Sequence, residues 1–389
     1  MLKIMLSAGE ASGDLHGARL AEALQKLEPD IALFGFGGEK MQSAGVRLCR
    51  DFRDYSVMGF WEVLKNIRRL FKLRNILVKC MQEEKPDLLV LIDYPDFNWR
   101  LAKKAKALGI PVFSYIPPSA WAWRKGRARD CAKLADAFAA IFPFELPVYQ
   151  AAGANISFLG NPLVDTVKAV MSKDEARRYF GVQAGEEPIL LLPGSRRQEI
   201  ELLLPVMLEA AKGLQRRYPA ARFFLPVAPG IERAALASMA AQAGIELHLT
   251  TAYTYDLMGI STLAIATSGT VVLEAAMMGL PSIVLYRMSL LTYCIGRLLV
   301  RVDNFSLPNI LLGERIQPEL LQAEVNPERI QAEAERFLAD TDYRAQVCGK
   351  LAAACKLLGP PGAAERVAER IRLTALTGRE KRKIIGGKK

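Results

Sequence analysis

Short apolar runs alternate with amphipathic stretches from the start of the chain. Leu2 to Ser7, Ile31 to Phe36, Leu88 to Ile92, Val112 to Ile116 and Phe138 to Phe142 are compact and β-prone, and helical patterns fill the intervals between them. A second series follows, at Ile189 to Leu192, Arg222 to Val227, Ile245 to Leu249, Leu263 to Ala266 and Ser282 to Tyr286. Strand and helix alternating in this way predict parallel α/β sheets. Two series predict two Rossmann-like doubly wound domains, 1–165 and 166–345, joined by a linker near 160–170 where Gly160-Asn161-Pro162-Leu163 interrupts the pattern. Helical periodicity resumes from Pro327, breaks at Gly359-Pro360-Pro361-Gly362 and runs on to about Leu376. The helices of 346–376 are expected to pack back on the N-terminal domain or to reach a partner subunit, which leaves a homodimer open. The basic end, 377–389, is expected to be disordered.

Composition narrows the function. With 389 residues, two domains can each bury a full core without covalent staples. Six cysteines carry no C-x-x-C pair, and Met1 to Leu6 reads as a first strand rather than a secretory leader, so a cytoplasmic setting fits. No stretch approaches the roughly eighteen apolar residues of a membrane-spanning helix. The net charge of +11 asks for an acidic partner. Its cations are interleaved with large apolar residues and lack any nucleic-acid signature, which favours a lipid surface or a nucleotide phosphate over nucleic acid.

Candidate chemistry gathers where strands run into helices. Ser7-Ala8-Gly9-Glu10-Ala11-Ser12-Gly13-Asp14 is a glycine turn that can offer free amides, with Glu10, Ser12 and Gly13 as cleft candidates. It lacks G-x-G-x-x-G, so a dinucleotide site is not expected, and an ordinary turn is an equal reading. Asp93 ends an apolar strand, where open sheets bind ligands, and is the candidate general base. Asp96 reads equally well as a helix cap. Asn98 lies one helical turn further on. Trp121, Trp123, Arg124, Lys125 and Arg127 combine aromatic faces with cations, suited to a sugar ring or acyl chain beside phosphate, or to a packed interface.

In the second series, Gly194, Ser195 and Arg196 put a guanidinium beside free amides, a phosphate-binding combination. Ser268, Gly269 and Thr270 make a small-residue turn, and Glu274 lies one turn into the following helix, where it could bind ribose hydroxyls or simply stabilise the helix. His16 and His248 are the only histidines, so neither a Ser-His-Asp device nor a metal site is expected, and no cofactor is called for. Val57, Phe60, Trp61, Leu64, Ile67 and Phe71 recur at helical spacing among Lys65, Arg68, Arg69, Lys72 and Arg74. Such a basic amphipathic helix can lie on anionic lipid, although a core-facing stripe is the commoner origin of the pattern. Met288 to Arg301 has the same mixed character.

Taken together and in order, Gly9-Glu10-Ala11-Ser12-Gly13-Asp14, Asp93-x-Pro-Asp-Phe-Asn98, Pro118-Ser119-x-Trp-Ala-Trp-Arg124, Phe142-Pro-Phe-Glu145, Leu192-Pro-Gly-Ser-Arg196, Ser268-Gly-Thr270, Tyr286-Arg-Met288 and Ser306-Leu-Pro-Asn309 resemble the lipid-A-disaccharide synthase family. The resemblance runs from about Leu2 to Leu376. It implies a GT-B glycosyltransferase fold, two domains facing across a cleft, with the nucleotide on the C-terminal domain. It implies transfer of 2,3-diacylglucosamine from its UDP conjugate to 2,3-diacylglucosamine 1-phosphate (lipid X), with inversion, giving the β-1,6-linked lipid A disaccharide 1-phosphate and UDP without a metal. Asp93, Arg196 and Asn309 match positions critical in that family. Asp93 is then the base on the acceptor hydroxyl, Arg196 and Ser195 the diphosphate holders, Glu274 a ribose ligand and Arg287 a second phosphate contact, with Asn309 on the donor side. Acylated substrates imply peripheral contact with the cytoplasmic face of the inner membrane through Phe60, Trp61, Arg68, Arg69 and Phe71. Two rival readings remain at this stage: another UDP-sugar enzyme of the same architecture, such as a UDP-N-acetylglucosamine epimerase or an undecaprenyl-linked transferase, and a non-catalytic lipid- or nucleotide-binding protein.

Overall fold

The computed structural model describes residues 1–55, 60–120, 125–288 and 303–386, with 60–67, 125 and 383–386 by backbone alone. The chain divides into two compact units, Met1–Pro162 with Gly359–Lys389, and Leu163–Leu358.

In the first unit the strands are β1 Lys3–Ala8, β2 Ala32–Gly37, β3 Arg47–Asp51, β4 Leu88–Ile92, β5 Val112–Tyr115, β6 Ala137–Ala140 and β7 Ile156–Phe158. They pair in parallel in the order β3-β2-β1-β4-β5-β6-β7. β4 is apolar throughout because helices cover both faces of the sheet. Leu88, Val90 and Ile92 face Leu20 and Leu24 of the helix Ala11–Leu27 and Val367 and Ile371 of the helix Ala363–Gly386. Leu89 and Leu91 face the opposite layer, with Leu73 and Leu77 of the helix Phe60–Glu84 and Leu101 of the helix Pro95–Ala107.

The second unit holds β8 Glu187–Leu192, β9 Ala221–Pro226, β10 Leu247–Thr250, β11 Leu263–Thr267, β12 Ser282–Tyr286 and β13 Glu319–Leu321, again parallel, in the order β10-β9-β8-β11-β12-β13. Each sheet therefore reverses its winding once, between β1 and β4 and between β8 and β11. At such a switch point the two flanking connections leave in opposite directions and open a crevice beyond the strand ends. The first crevice is flanked by the Gly9 and Asp93 turns, the second by the Gly194 and Ser268-Gly269 turns.

Three strands, β3, β7 and β13, have no counterpart in the apolar pattern. All three lie at sheet edges, and Arg47-Leu48-Cys49-Arg50-Asp51 is too polar to announce itself. Two expectations about the chain end also change. The helix Thr341–Lys356 belongs to the second unit, burying Val347, Leu351 and Ala354 there, so the return crossing falls at Leu358–Gly359 rather than near 345. The last helix, Ala363–Gly386, extends well past 377, where disorder was expected. Arg382 explains this in part, donating to the carbonyls of Pro86 and Asp87 and to the Asp87 carboxylate.

The helix expected to start near Val57 is described from Phe60 and runs to Glu84; Val57 lies outside the described residues. Among its described side chains, Leu73, Leu77 and Met81 are essentially buried. Burial on that scale contributes about 1.5–3 kcal/mol per side chain, so these residues, and not Phe71, anchor the helix. Phe71 is 43% exposed, its ring under the Arg74 guanidinium at 4.9 Å, and it shares an open groove with Arg68, Lys72 and Lys79. Arg68 and Arg69 are exposed as well. Among the described residues no helix is long and apolar enough to cross a membrane.

Candidate active site

At the first switch point the backbone is strained. Asp93 and Tyr94, after β4, have φ of 49° and 47°, and Ile116, after the neighbouring β5, has φ of 57°. Left-handed geometry in non-glycine residues costs about 1–3 kcal/mol each, and for a β-branched isoleucine it is a true outlier. The strain has a source in the ladder: Asp93 N donates to Tyr115 O and Ile116 N to Ala139 O, so each strand keeps its register until its last bond and must then turn sharply. Tyr94, in left-handed geometry, is the N-cap residue of the helix Pro95–Ala107. That leaves the Asp93 carboxylate uncommitted to capping.

Asp93 is largely buried, and burial pushes its carboxyl pKa up; the negative charge of Glu10 adds to the rise, and a hydrogen bond from the Tyr94 backbone partly opposes it. A carboxylate of raised basicity is what removal of a hydroxyl proton needs. Glu10 is exposed at the N-cap of the helix Ala11–Leu27 and makes no capping bond with its side chain. Ser12 is exposed beside it. Gly13 is buried, and a Cβ there would sit 3.3 Å from Ala8 Cβ and 3.5 Å from Ile92 O, which keeps the helix start close to the β1 and β4 ends. Gly9 leaves room for the Tyr94 ring. His16, one turn further along the helix, is no rival base: burial and the Arg19 charge lower its pKa to about 4.

Asn98, expected at the acceptor cleft, has its side chain turned into the core. It is fully buried; its amide donates to the carbonyls of Asp93 (2.7 Å) and Ser7 (3.1 Å), and its oxygen accepts from Ser7 Oγ (2.7 Å). It ties the Asp93 turn to the end of β1. Asp14 is likewise structural, accepting from the Gly38, Lys40 and Met41 amides. Glu145 closes the turn after β6 by accepting from the Ile141 and Phe142 amides. Trp123 and Arg124 lie outside the described residues.

At the second switch point strain is avoided by glycine. Gly194 has φ of 116°, a value that side chains rarely adopt. The helix Arg197–Arg217 then starts with Arg196 as its N-cap residue and the Arg196 side chain 80% exposed. Glu199, unnoticed in the sequence, accepts from Ser195 N (3.2 Å), Arg196 N (3.3 Å) and Arg196 Nη1 (3.2 Å). Across the crevice Gly269 and Thr270 are exposed at the start of the helix Thr270–Met277, and Glu274, one turn in, is largely buried with its pKa raised by burial. Ser268 Oγ donates to Phe305 O. Arg287 is exposed just past β12.

Asn309, expected on the donor side, is also buried with every amide function used. It donates to Gln317 O and Glu319 Oε1 and accepts from the Ile316 and Gln317 amides. Glu319, a second residue missed in the sequence, accepts in addition from the Phe305 and Ser306 amides. Through Phe305 this buried network reaches Ser268, so Asn309 is tied into the wall of the crevice. No local pattern could have revealed it, because Glu319 reads as an ordinary surface acid in a short edge strand.

A family model for lipid-A-disaccharide synthetase matches residues 4–356. The chain belongs to the lipid-A-disaccharide synthase family. The lipid-A-disaccharide synthase of Syntrophus aciditrophicus is 46% identical over 366 residues, covering 94% of this chain and 96% of that protein. That of Geobacter sulfurreducens is 44% identical over 370 residues, covering 94% and 95%. Among solved structures, UDP-GlcNAc 2-epimerase from Neisseria meningitidis bound to UDP-GlcNAc superposes with a TM-score of 0.68 at 15% identity, covering 95% of this chain and 99% of that one. MurG of Acinetobacter baumannii gives 0.59 at 16%, covering 96% and 99%. At such identities the likeness concerns the fold, which is the GT-B fold of two Rossmann-like units. The family carries the activity: the protein is a glycosyltransferase of lipid A biosynthesis.

Proposed function

We propose that the enzyme transfers 2,3-diacylglucosamine from its UDP conjugate to the 6-hydroxyl of 2,3-diacylglucosamine 1-phosphate, with inversion at the anomeric carbon. Asp93 takes the hydroxyl proton as the new glycosidic bond forms and the bond to UDP breaks. Arg196 and the Ser195 turn hold the diphosphate, and their positive field stabilises the charge that builds on departing UDP. Glu274 and the exposed Thr270 turn take the ribose, and Arg287 supplies a second cation. The observation that carries this reading is Asp93 itself, a carboxylate of raised pKa at a strained turn of the first switch point. The UDP-GlcNAc held by the Neisseria epimerase supports a nucleotide sugar as donor. UDP release from the purified enzyme with both acylated glucosamines tests it. Release with UDP-N-acetylglucosamine as the better donor would refute the acylated substrate.

The exposed Phe71 groove, with Arg68, Arg69 and Lys72, supports docking of the helix Phe60–Glu84 on anionic membrane, where each cation contributes about 1 kcal/mol. Liposome binding should rise with anionic lipid, fall with salt, and drop in a Phe60→Ser, Trp61→Ser, Phe71→Ser variant that still binds UDP. Unfolding of that variant would return the stripe to the core.

A further inference from the structure

The turn after β8 is already occupied by an anion. Both oxygens of the Glu199 carboxylate are engaged, Oε2 by the Ser195 and Arg196 amides and Oε1 by the Arg196 guanidinium. These donors are the ones assigned above to the diphosphate. An ordinary helix start in the same unit offers a contrast: at Ser172 the cap hydroxyl accepts from the Glu175 amide, and Glu175 answers to the Ser172 amide and hydroxyl. At the β8 turn the N-cap residue is an arginine, which has no acceptor to offer. The acceptor for those donors comes from the first turn of the helix instead, and it is an anion, the Glu199 carboxylate.

We propose that Glu199 is an internal stand-in for the nucleotide diphosphate, holding the turn's donors while the site is empty and giving them up when the nucleotide binds. The proposal rests on the reading that the diphosphate binds at this turn. Two anions cannot share the same amides, and a carboxylate left beside a diphosphate repels it. Displacement therefore costs part of the binding free energy. The returning carboxylate recovers the same contacts when UDP leaves, so the exchange weakens the hold on product and speeds its departure. Glu199 is 32% exposed, and a rotation of its side chain can carry the carboxylate out of the turn.

The test is calorimetric titration of the full-length enzyme with UDP, together with the UDP dissociation rate. Glu199→Gln keeps an oxygen for the helix start but removes the competing charge, and it should tighten UDP binding roughly tenfold through slower dissociation. Glu199→Asp, whose shorter side chain cannot span the turn, should also tighten it. Glu201→Gln is the control for general charge, since Glu201 pairs with Arg197 on the same helix without touching the turn amides; it should change affinity less than about twofold. If Arg196→Ala weakens UDP binding while both Glu199 variants leave it unchanged or weaker, Glu199 merely positions Arg196 and the proposal fails. If Arg196→Ala leaves UDP binding unchanged, the nucleotide binds elsewhere, and the site reading and this proposal fall together.

Discussion

The two switch points are built on the same plan and prepared for opposite charges. At the end of β4 the chain turns through non-glycine residues at positive φ, and a largely buried carboxylate of raised pKa stands there. At the end of β8 it turns through Gly194, and exposed amides with a guanidinium result. In the first, a side chain is forced toward the strand ends and kept from full solvation, which raises its affinity for a proton. In the second, the absence of a side chain lets the backbone itself bind an anion. The two turns thus differ in what they present beyond the strand ends, a carboxylate at Asp93 and backbone amides after Gly194.

The sharpest way to break that contrast is Asp93→Asn. Turnover should fall roughly 10²–10⁴-fold, as for a lost general base, while UDP affinity is unchanged. Asparagine accepts left-handed geometry well, so the fold survives the change. Because the folded-state pKa is raised, the folded chain binds a proton that the unfolded chain has already released, and this contribution to stability is lost as pH rises between the two pKa values. The Asn variant should lack that decline, and thermal melting across pH measures it. Near-normal turnover would make Asp93 structural and end the contrast.

Arg196→Ala attacks the other switch point. UDP affinity should fall roughly 10- to 100-fold and the chemical step should slow with it, as expected where a guanidinium contacts the diphosphate in both ground and transition states. Calorimetry and single-turnover rates would separate the two effects.

Asn309→Ala should act through the wall of the crevice. It removes one donor from buried Glu319 and orphans the Ile316 and Gln317 amides, which costs about 1–3 kcal/mol of stability. Melting should drop, and UDP binding should weaken only as far as Ser268 and Phe305 shift. Full stability with lost catalysis would instead mean that Asn309 reaches the ligand.

The smallest effect belongs to Glu10→Gln. It removes the neighbouring charge that adds to the raised Asp93 pKa, so the acid limb of kcat/KM should move to lower pH with the plateau rate kept. An unmoved limb would leave burial as the whole cause.

The apolar strands, their alternation with helices and the residues standing at the two switch points were legible in the order of residues, because each depends on neighbours a few positions away; the polar or short edge strands β3, β7 and β13 were not. Legible too was the family, whose motifs are those same strand ends. Which strands lie side by side was not legible, and with it the meeting of Gly9 with Asp93 and of Gly194 with Ser268. Nor were the partners of buried polar groups: Asn98 bonds Ser7 across 91 positions, and Asn309 completes Glu319 in an edge strand too short to carry a pattern. Motif matching registers the position of such asparagines and not their burial. Only the tertiary structure decides whether a polar side chain at a strand end faces the crevice or holds its wall, because that depends on which donors and acceptors the fold brings within hydrogen-bonding distance and how much water it removes around them.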